Sequence, residues 1–348
     1  MMRRRKNPFL LIGSLFISSF CMAQEWRIKT DSLLKAGQQA GTPVQKVKYL
    51  TEAAFIFLLQ NPDTAMLLNN EAESIAAASG NDTALAMVYA GKSAVYLIRD
   101  NNAMTLEYAL KGLTISERTP LPPDVLAAIY RKLGYVYRNN NQFTKCIEAY
   151  KKALVYSEAS NNRYDMATTS SNIGNIFNSF KQYDSALVYH AKTLEFARAG
   201  NYKDIIARTY IQIINSYNAL KQYERSFQAV ADMRPYLVLR EVTPLTKGLA
   251  YTKIASLDMQ HGPPPHKLAA MYLDSMKRLM ATTSPGNDNL IEYYLNRALL
   301  EFSRDQYDSA SHALEKYHEL KKCGMMRSSA AMPRSWMPVM KPVKKTPR

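Results

Sequence analysis

Ala167–Gly200 reads ATTSSNIGNIFNSFKQYDSALVYHAKTLEFARAG, and the spacing of its apolar residues decides the fold. Apolar or small residues in its first half recur three and four positions apart, which places them on one face of a helix. These are Ile173, Gly174, Ile176, Phe177 and Phe180. After the short break KQY, a second set with the same spacing runs over Ala186–Ala197. The stretch therefore predicts a hairpin of two amphipathic helices, ended by Gly200-Asn201, that cannot bury its apolar face alone.

The same pattern returns about 40 residues away in both directions. Leu133-Gly134-x-x-Tyr137 precedes Ile173-Gly174-x-x-Phe177 by 40 residues, and KQYERSF at Lys221–Phe227 follows KQYDSAL by the same interval. A fixed period in this range is typical of stacked helical repeats. These small and aromatic positions resemble those of the tetratricopeptide-repeat family over roughly residues 45–322. The period of 40 departs from that family's usual value of about 34.

The resemblance implies an all-α, right-handed superhelical solenoid of helix–turn–helix hairpins. We expect a helical lead-in at 24–43 and about seven hairpins within 44–322. The expected hairpins cover 44–79, 82–118, 124–160, 164–200, 204–240, 244–281 and 288–322. Long repeats behind an export signal also resemble the sensor parts of bacterial exported and membrane regulators.

Residues 1–23 have the features of a secretory signal peptide. Four basic residues at positions 3–6 precede a short apolar run, and Ala23 is a small residue suited to cleavage. The run is shorter than the roughly 20 residues that a membrane span needs. We therefore expect an exported protein that is periplasmic or associated with the cell envelope. The alternatives are an uncleaved anchor and lipidation at Cys21, where the preceding Phe20 is unusually bulky.

The segment 323–348 differs from the repeats because it is rich in Met, Pro and basic residues and has no Asp or Glu. One interpretation is a disordered basic tail. The other is a chain cut or frame-shifted near Lys322, because the seventh repeat stops in full register without the polar capping helix that solenoids normally have.

Net charge is +16, which would favour nucleic-acid binding if it were spread over the repeats. Residues 1–23 contribute +4 and residues 321–348 contribute +8, so only +4 remains for the 297 residues between them. This is an ordinary solvated surface, and we predict no nucleic-acid partner. Membrane contact is expected only through an uncleaved signal or a missing C-terminal segment, although the basic tail has the charge to touch anionic lipid or polymer.

The sequence shows none of the motifs that commonly carry catalysis. There is no H-E-x-x-H or C-x-x-C pair, no phosphate-binding Gly-rich loop and no G-x-S-x-G turn. His261 and His266 flank Gly-Pro-Pro-Pro, which favours a rigid loop over a metal site. Cys146 occupies a small slot equivalent to Ala186, which predicts a packed free thiol. We expect no enzyme, no metal and no cofactor.

The remaining candidate site is the inner face of the first helices, where the resemblance implies a groove for an extended peptide or a partner helix. Asn and Gln both donate and accept hydrogen bonds, so they can pair with a peptide backbone, and Arg can bind a carboxylate. Arg131, Asn172 and Arg208 resemble part of the carboxylate clamp of chaperone-binding relatives, whereas Tyr135 and Gln212 depart from it. The predicted set is Arg131, Tyr135, Arg138, Asn172, Asn175, Asn178, Arg208, Gln212, Asn215 and Asn218.

The alternative for this face is a hydrated polar surface on which some Asn side chains bridge adjacent helices. For the whole chain, the favoured function is a non-catalytic scaffold that binds a protein or peptide in the cell envelope. The second hypothesis is the sensor portion of a truncated membrane signalling regulator, whose kinase or helix-turn-helix output is missing.

Overall fold

The computed structural model describes residues 27–283 and 287–322, which form helices joined by short turns, with no strand among them. This confirms the predicted all-α class and its helical hairpins. The signal segment 1–23 and the tail 323–348 lie outside the described residues. Contacts divide the chain into two units, of which the first ends at Leu239 and the second begins at Arg240.

The first unit contains a lead helix, α1 (27–38), followed within the described residues by five pairs of helices. The two helices of each pair pack along one another. The pairs are α2 (Pro43–Phe57) with α3 (Pro62–Ser79), α4 (Asp82–Ile98) with α5 (Asn102–Ile115), α6 (Pro123–Asn139) with α7 (Phe143–Ala159), α8 (Arg163–Ser179) with α9 (Tyr183–Ala199), and α10 (Lys203–Ala219) with α11 (Tyr223–Leu237).

The second unit contains α12 (Pro244–His261), α13 (Lys267–Met280), α14 (Asn287–Phe302) and α15 (Tyr307–Lys322), packed as two further pairs. Its Pro-rich loop is held by Asp258 near the end of α12. The Asp258 carboxylate accepts a hydrogen bond from the backbone N–H of Ala269 at 2.8 Å, and Nδ1 of His266 lies 2.9 Å from the Asp258 carbonyl oxygen. The loop histidine is therefore bound to backbone, as a rigid loop requires.

Most of the turns between the described helices contain a single residue in the left-handed conformation. Asn201 has φ of 58° and Lys181 has φ of 59°, and the next residues donate from their N–H groups back into the preceding helix. Helix α9 ends at Gly200-Asn201 as predicted, and Gly200 itself has φ of −93°. Asn201 takes the left-handed position, which Asn tolerates better than most residues with a side chain.

Small residues let the two helices of a hairpin approach closely. A Cβ atom placed on Gly134 would lie 2.7 Å from the ring of Tyr150, and one placed on Gly174 would lie 2.6 Å from Cε1 of His190. The Cys146 side chain fills the small slot beside Gly134, where its thiol lies 3.2 Å from the Gly134 carbonyl oxygen. Burial raises the pKa of this thiol to about 11, which keeps it protonated at neutral pH.

Within the first unit, the core of the α6–α7 hairpin extends into the α8–α9 hairpin. Ile173 and Ile176 of α8 pack in one cluster with Cys146, Tyr150 and Leu154 of α7. Each buried isoleucine contributes about 1.5–3 kcal/mol relative to an exposed one. A hairpin taken alone would leave this surface in water, so each repeat depends on its neighbour for stability.

The contact at Gly174 gives the first prediction. Gly174→Leu should overpack the interface with His190 and lower the free energy of unfolding by at least about 1–3 kcal/mol, because both side chains cannot occupy one space. Ser179→Leu, at an exposed position near the end of the same helix, is the matched control and should unfold at nearly the wild-type denaturant midpoint. Equal midpoints for the two variants would contradict the close helix approach.

Candidate functional site

The first helices of the hairpins form the inner layer of the first unit. Consecutive first helices α2, α4, α6, α8 and α10 contact one another, whereas no two second helices of this unit do so within the described residues. A stack whose members touch along one layer and separate along the other must curve toward the touching layer. The inner face of that curve is therefore made by the first helices, which carry all ten predicted site residues.

Arg131 on α6 forms an ion pair within its own chain. Its guanidinium forms an ion pair with Asp165 of α8, and Asn162 at the start of α8 also holds that carboxylate. The guanidinium thus has an internal carboxylate partner, although its Nε has no hydrogen-bond partner among the described residues. That Arg131 binds a partner's carboxylate stays a prediction. Tyr135 and Arg138 lie together instead, with the Arg138 guanidinium 4.6 Å from the centre of the Tyr135 ring.

On α8, Asn178 bridges three helices rather than facing a partner. Its Nδ2 lies 3.2 Å from Nε2 of His190 on α9, and its Oδ1 accepts a hydrogen bond from the Ser216 hydroxyl of α10 at 2.8 Å. Burial lowers the pKa of His190 to about 4, so the imidazole is neutral at pH 7 and can accept from the amide. Asn178 therefore follows the alternative that the sequence left open, an amide that bridges adjacent helices.

The other amides of α8 and α10 are only partly engaged with the chain. Asn215 Nδ2 lies 3.5 Å from Oε1 of Gln212, and Asn172 is half-buried. Oδ1 of Asn175 and Oδ1 of Asn218 are buried and accept no hydrogen bond from any described residue. Arg208 is largely exposed and lies 3.7 Å from Asp204. These side chains keep hydrogen-bonding capacity on the inner face.

The N-terminal part of the inner face holds a cavity of about 360 Å³ between α1, α2, α4 and α6. Its surface is mostly apolar, with Ala90 and Ala94 of α4 and Ala128 of α6 among its lining residues. Phe55 of α2 also lines it, although its side chain is 64% exposed. Arg131 is the predicted residue that reaches this cavity, whereas the Asn-bearing helices α8 and α10 do not line it.

Lys132, which the sequence interpretation missed, is a further basic residue on the cavity wall. The 40-residue period places it in register with Asn172 and Gln212, so the period itself would have identified it. Lys132 is half-buried, and burial together with the neighbouring Arg131 charge lowers the pKa of its amine to about 7. The site thus contains a lysine that titrates near neutral pH.

The described ranges show neither a metal-binding cluster nor a membrane-spanning helix. They hold no group of three or more His, Cys, Asp and Glu side chains placed to bind a metal ion. None of the helices between residues 27 and 322 that the structure describes has the length and apolar character of a membrane span.

The bridging role of Asn178 predicts a difference within the predicted set. Asn178→Ala should lower the free energy of unfolding by about 1–3 kcal/mol, because His190 and Ser216 each lose a buried hydrogen-bond partner. Asn172→Ala on the same helix should change it by less than about 0.5 kcal/mol. Chemical denaturation of both variants measures this, and equal stabilities would exclude the bridge.

The depressed pKa of Lys132 predicts how stability depends on pH. An unfolded lysine titrates near 10.5, so between pH 7 and pH 9 the unfolded chain binds more protons than the folded chain, and stability rises with pH over this window. Lys132→Met should reduce that slope, whereas Lys151→Met on the exposed face of α7 should keep it. Parallel slopes for wild type and Lys132→Met would show that the Lys132 pKa is ordinary.

Comparison with known proteins extends these observations. Residues 125–199 match the family model for the tetratricopeptide repeat. No curated protein sequence matches the chain significantly.

Several solved structures share the fold at low sequence identity. The apo form of RapI is 12% identical, with a TM-score of 0.55, covering 80% of this chain and 98% of that one. The apo form of the quorum sensor NprR from B. thuringiensis is 12% identical, with a TM-score of 0.53, covering 86% and 99%. Pseudomonas aeruginosa PilF is 15% identical, with a TM-score of 0.51, covering 74% and 97%. At these identities the likenesses show the fold alone.

The family match covers two of the hairpins, α6–α7 and α8–α9. Together with the shared fold, it is consistent with the resemblance of this chain to the tetratricopeptide-repeat family.

Proposed function

We propose that the chain is a non-catalytic scaffold whose inner face in the first unit holds a segment of a protein or peptide partner. The observation that carries this proposal is the apolar cavity on the same face as the row of partly engaged amides. Binding sites commonly combine an apolar concave surface with a few polar groups that fix orientation. A flat hydrated surface would have no such cavity.

The amides supply sequence-independent recognition of a partner's backbone. Asn172, Asn175, Gln212 and Asn215 each carry a donor and an acceptor, so they can pair with both the N–H and the C=O groups of an extended segment. The buried Oδ1 of Asn175 carries a desolvation cost that a partner's N–H group would offset. A protein or peptide ligand therefore fits these groups better than an apolar small molecule does.

Two further parts of the proposal rest on less specific support. We place the protein in the cell envelope because residues 1–23 have the charge and apolar pattern of a signal peptide. A sensory role is the second candidate, since one protein with this fold, NprR, is described as a quorum sensor. Both candidate roles use a segment bound on the inner face.

The test is affinity capture from an envelope extract of the source cells, with the full-length chain as bait. Replacing Asn172, Asn175 and Asn215 by Ala should reduce the captured partner by at least about tenfold while helicity stays nearly unchanged. The control bait replaces Lys151, Glu158 and Glu195, which are exposed on second helices, by Ala and should capture the partner normally.

Three results would count against the proposal. The first is capture of no partner, and the second is capture at equal yield by wild type and the triple Asn variant. The third is loss of folding by the triple Asn variant, detected by circular dichroism, which would make the amides structural. Recovery of the chain from the cytoplasm alone, with residues 1–23 retained, would contradict the proposed location.

A further inference from the structure

The cavity between α1, α2, α4 and α6 exists because its helices carry small residues where later repeats carry polar ones. Offsets of 41 and then 40 residues relate Gly91 to Lys132 and Asn172, and Ala94 to Tyr135 and Asn175. At the equivalent position on α8 and α10, Ala128 is replaced by Thr168 and Arg208. The second repeat thus omits the side chains that would have filled this part of the groove.

The size of the cavity indicates an anchoring side chain rather than a whole ligand. About 360 Å³ is near the lower end of the roughly 300–1,000 Å³ found for ligand pockets. Apolar residues inserted into such pockets contribute a large share of the binding energy in protein interfaces. The exposed Phe55 at the wall and the adaptable Met87 add apolar surface around the inserted group.

The cavity wall carries more positive charge than the chain's own carboxylates balance, since among the described residues Asp165 alone lies near both Arg131 and Lys132. Arg131 is paired with Asp165, and the exposed Lys29 and Glu52 have opposite charges at the wall. Lys132 remains, half-buried and without an ion pair to any residue in the described ranges. By contrast, the buried Lys92 pairs with Glu73, and the buried Glu301 in the second unit pairs with Arg297.

The buried amide of Asn69 also belongs to the cavity wall. Asn69 is 1% exposed and lines the cavity beside Gly91, and its Oδ1 accepts no hydrogen bond from the described part of the chain. A Cβ atom on residue 91 would lie 2.1 Å from this oxygen, so only glycine lets the amide reach this place. This packing requires glycine at position 91 of the cavity wall.

We infer that the cavity receives one large apolar side chain of an acidic segment of the partner, whose carboxylate pairs with Lys132. This inference deepens the proposed function and rests on it. A purely apolar molecule would leave Lys132 uncompensated, and a basic segment would be repelled by it. An internal acidic residue suffices, so the segment needs no free C-terminus.

The probe is a phage-displayed library of random linear peptides, selected on the immobilised full-length chain. Enriched sequences should place an apolar residue next to Asp or Glu. The corresponding synthetic peptides, acetylated and amidated so that they carry no terminal carboxylate, are then titrated by fluorescence anisotropy against wild type and variants.

Two variants act on the cavity by different means, and each has a matched control. Ala128→Leu fills the cavity and Lys132→Gln removes its charge, and each should weaken binding by at least about tenfold. Thr168→Leu, at the register position of Ala128 on α8, and Lys151→Gln on α7 should change it by less than about twofold. Thermal melts establish whether each variant is folded. If Ala128→Leu does not fold, Lys132→Gln alone provides the test.

The outcomes separate this inference from the proposed function. Peptides that lack acidic residues, or that bind Ala128→Leu and Lys132→Gln as tightly as wild type, overturn the inference. If such peptides nevertheless fail to bind the triple Asn variant, the inner face still binds peptides and the proposed function stands. Failure to enrich any peptide, together with capture of no partner from the extract, would overturn both.

Discussion

The central hairpins of the first unit depend on the close approach of their two helices, which a glycine allows in both α6–α7 and α8–α9. At Gly174 and Gly134 the facing ring of His190 or Tyr150 takes the space of the missing side chain. The ring then extends the core toward the next hairpin, so the contact that closes one repeat also prepares the surface for its neighbour. Stability is consequently shared between repeats, and the first helices are left side by side on the inner face.

The hairpins could be predicted from the sequence because their determinants repeat at a fixed interval. The Gly–aromatic spacing and the turn after it are local features of the sequence. They recur at intervals of about 40 residues, so the same pattern can be recognised several times. The ends of the helices were less certain, since both residues of Gly200-Asn201 can take the left-handed conformation. In the structure Asn201 has the left-handed conformation, and the N–H of the next residue, Tyr202, donates a hydrogen bond to the Ala197 carbonyl oxygen.

The site was harder to predict because its properties come from residues far apart in the chain. Asp165 is 34 positions from Arg131 and neutralises it, and Ser216 is 38 positions from Asn178 and turns that amide into a bridge. The cavity exists because Gly91 and Ala94 lack large side chains. Missing side chains form no sequence motif, so the cavity could not be recognised from residue patterns. Lys132 was within reach of the sequence, because its register with Asn172 needed only the period already found.

Lys132 and the amides of Asn69 and Asn175 impose costs that the fold does not recover within the described residues. A half-buried ammonium without a carboxylate and a buried carbonyl oxygen without a donor both oppose folding. Lys92, in contrast to Lys132, is paired with Glu73. Local departures of this kind are expected where a surface is shaped for a partner rather than for stability alone. All three lie on or beside the inner face of the first unit, and a bound segment that brings a carboxylate would compensate the Lys132 charge on that face.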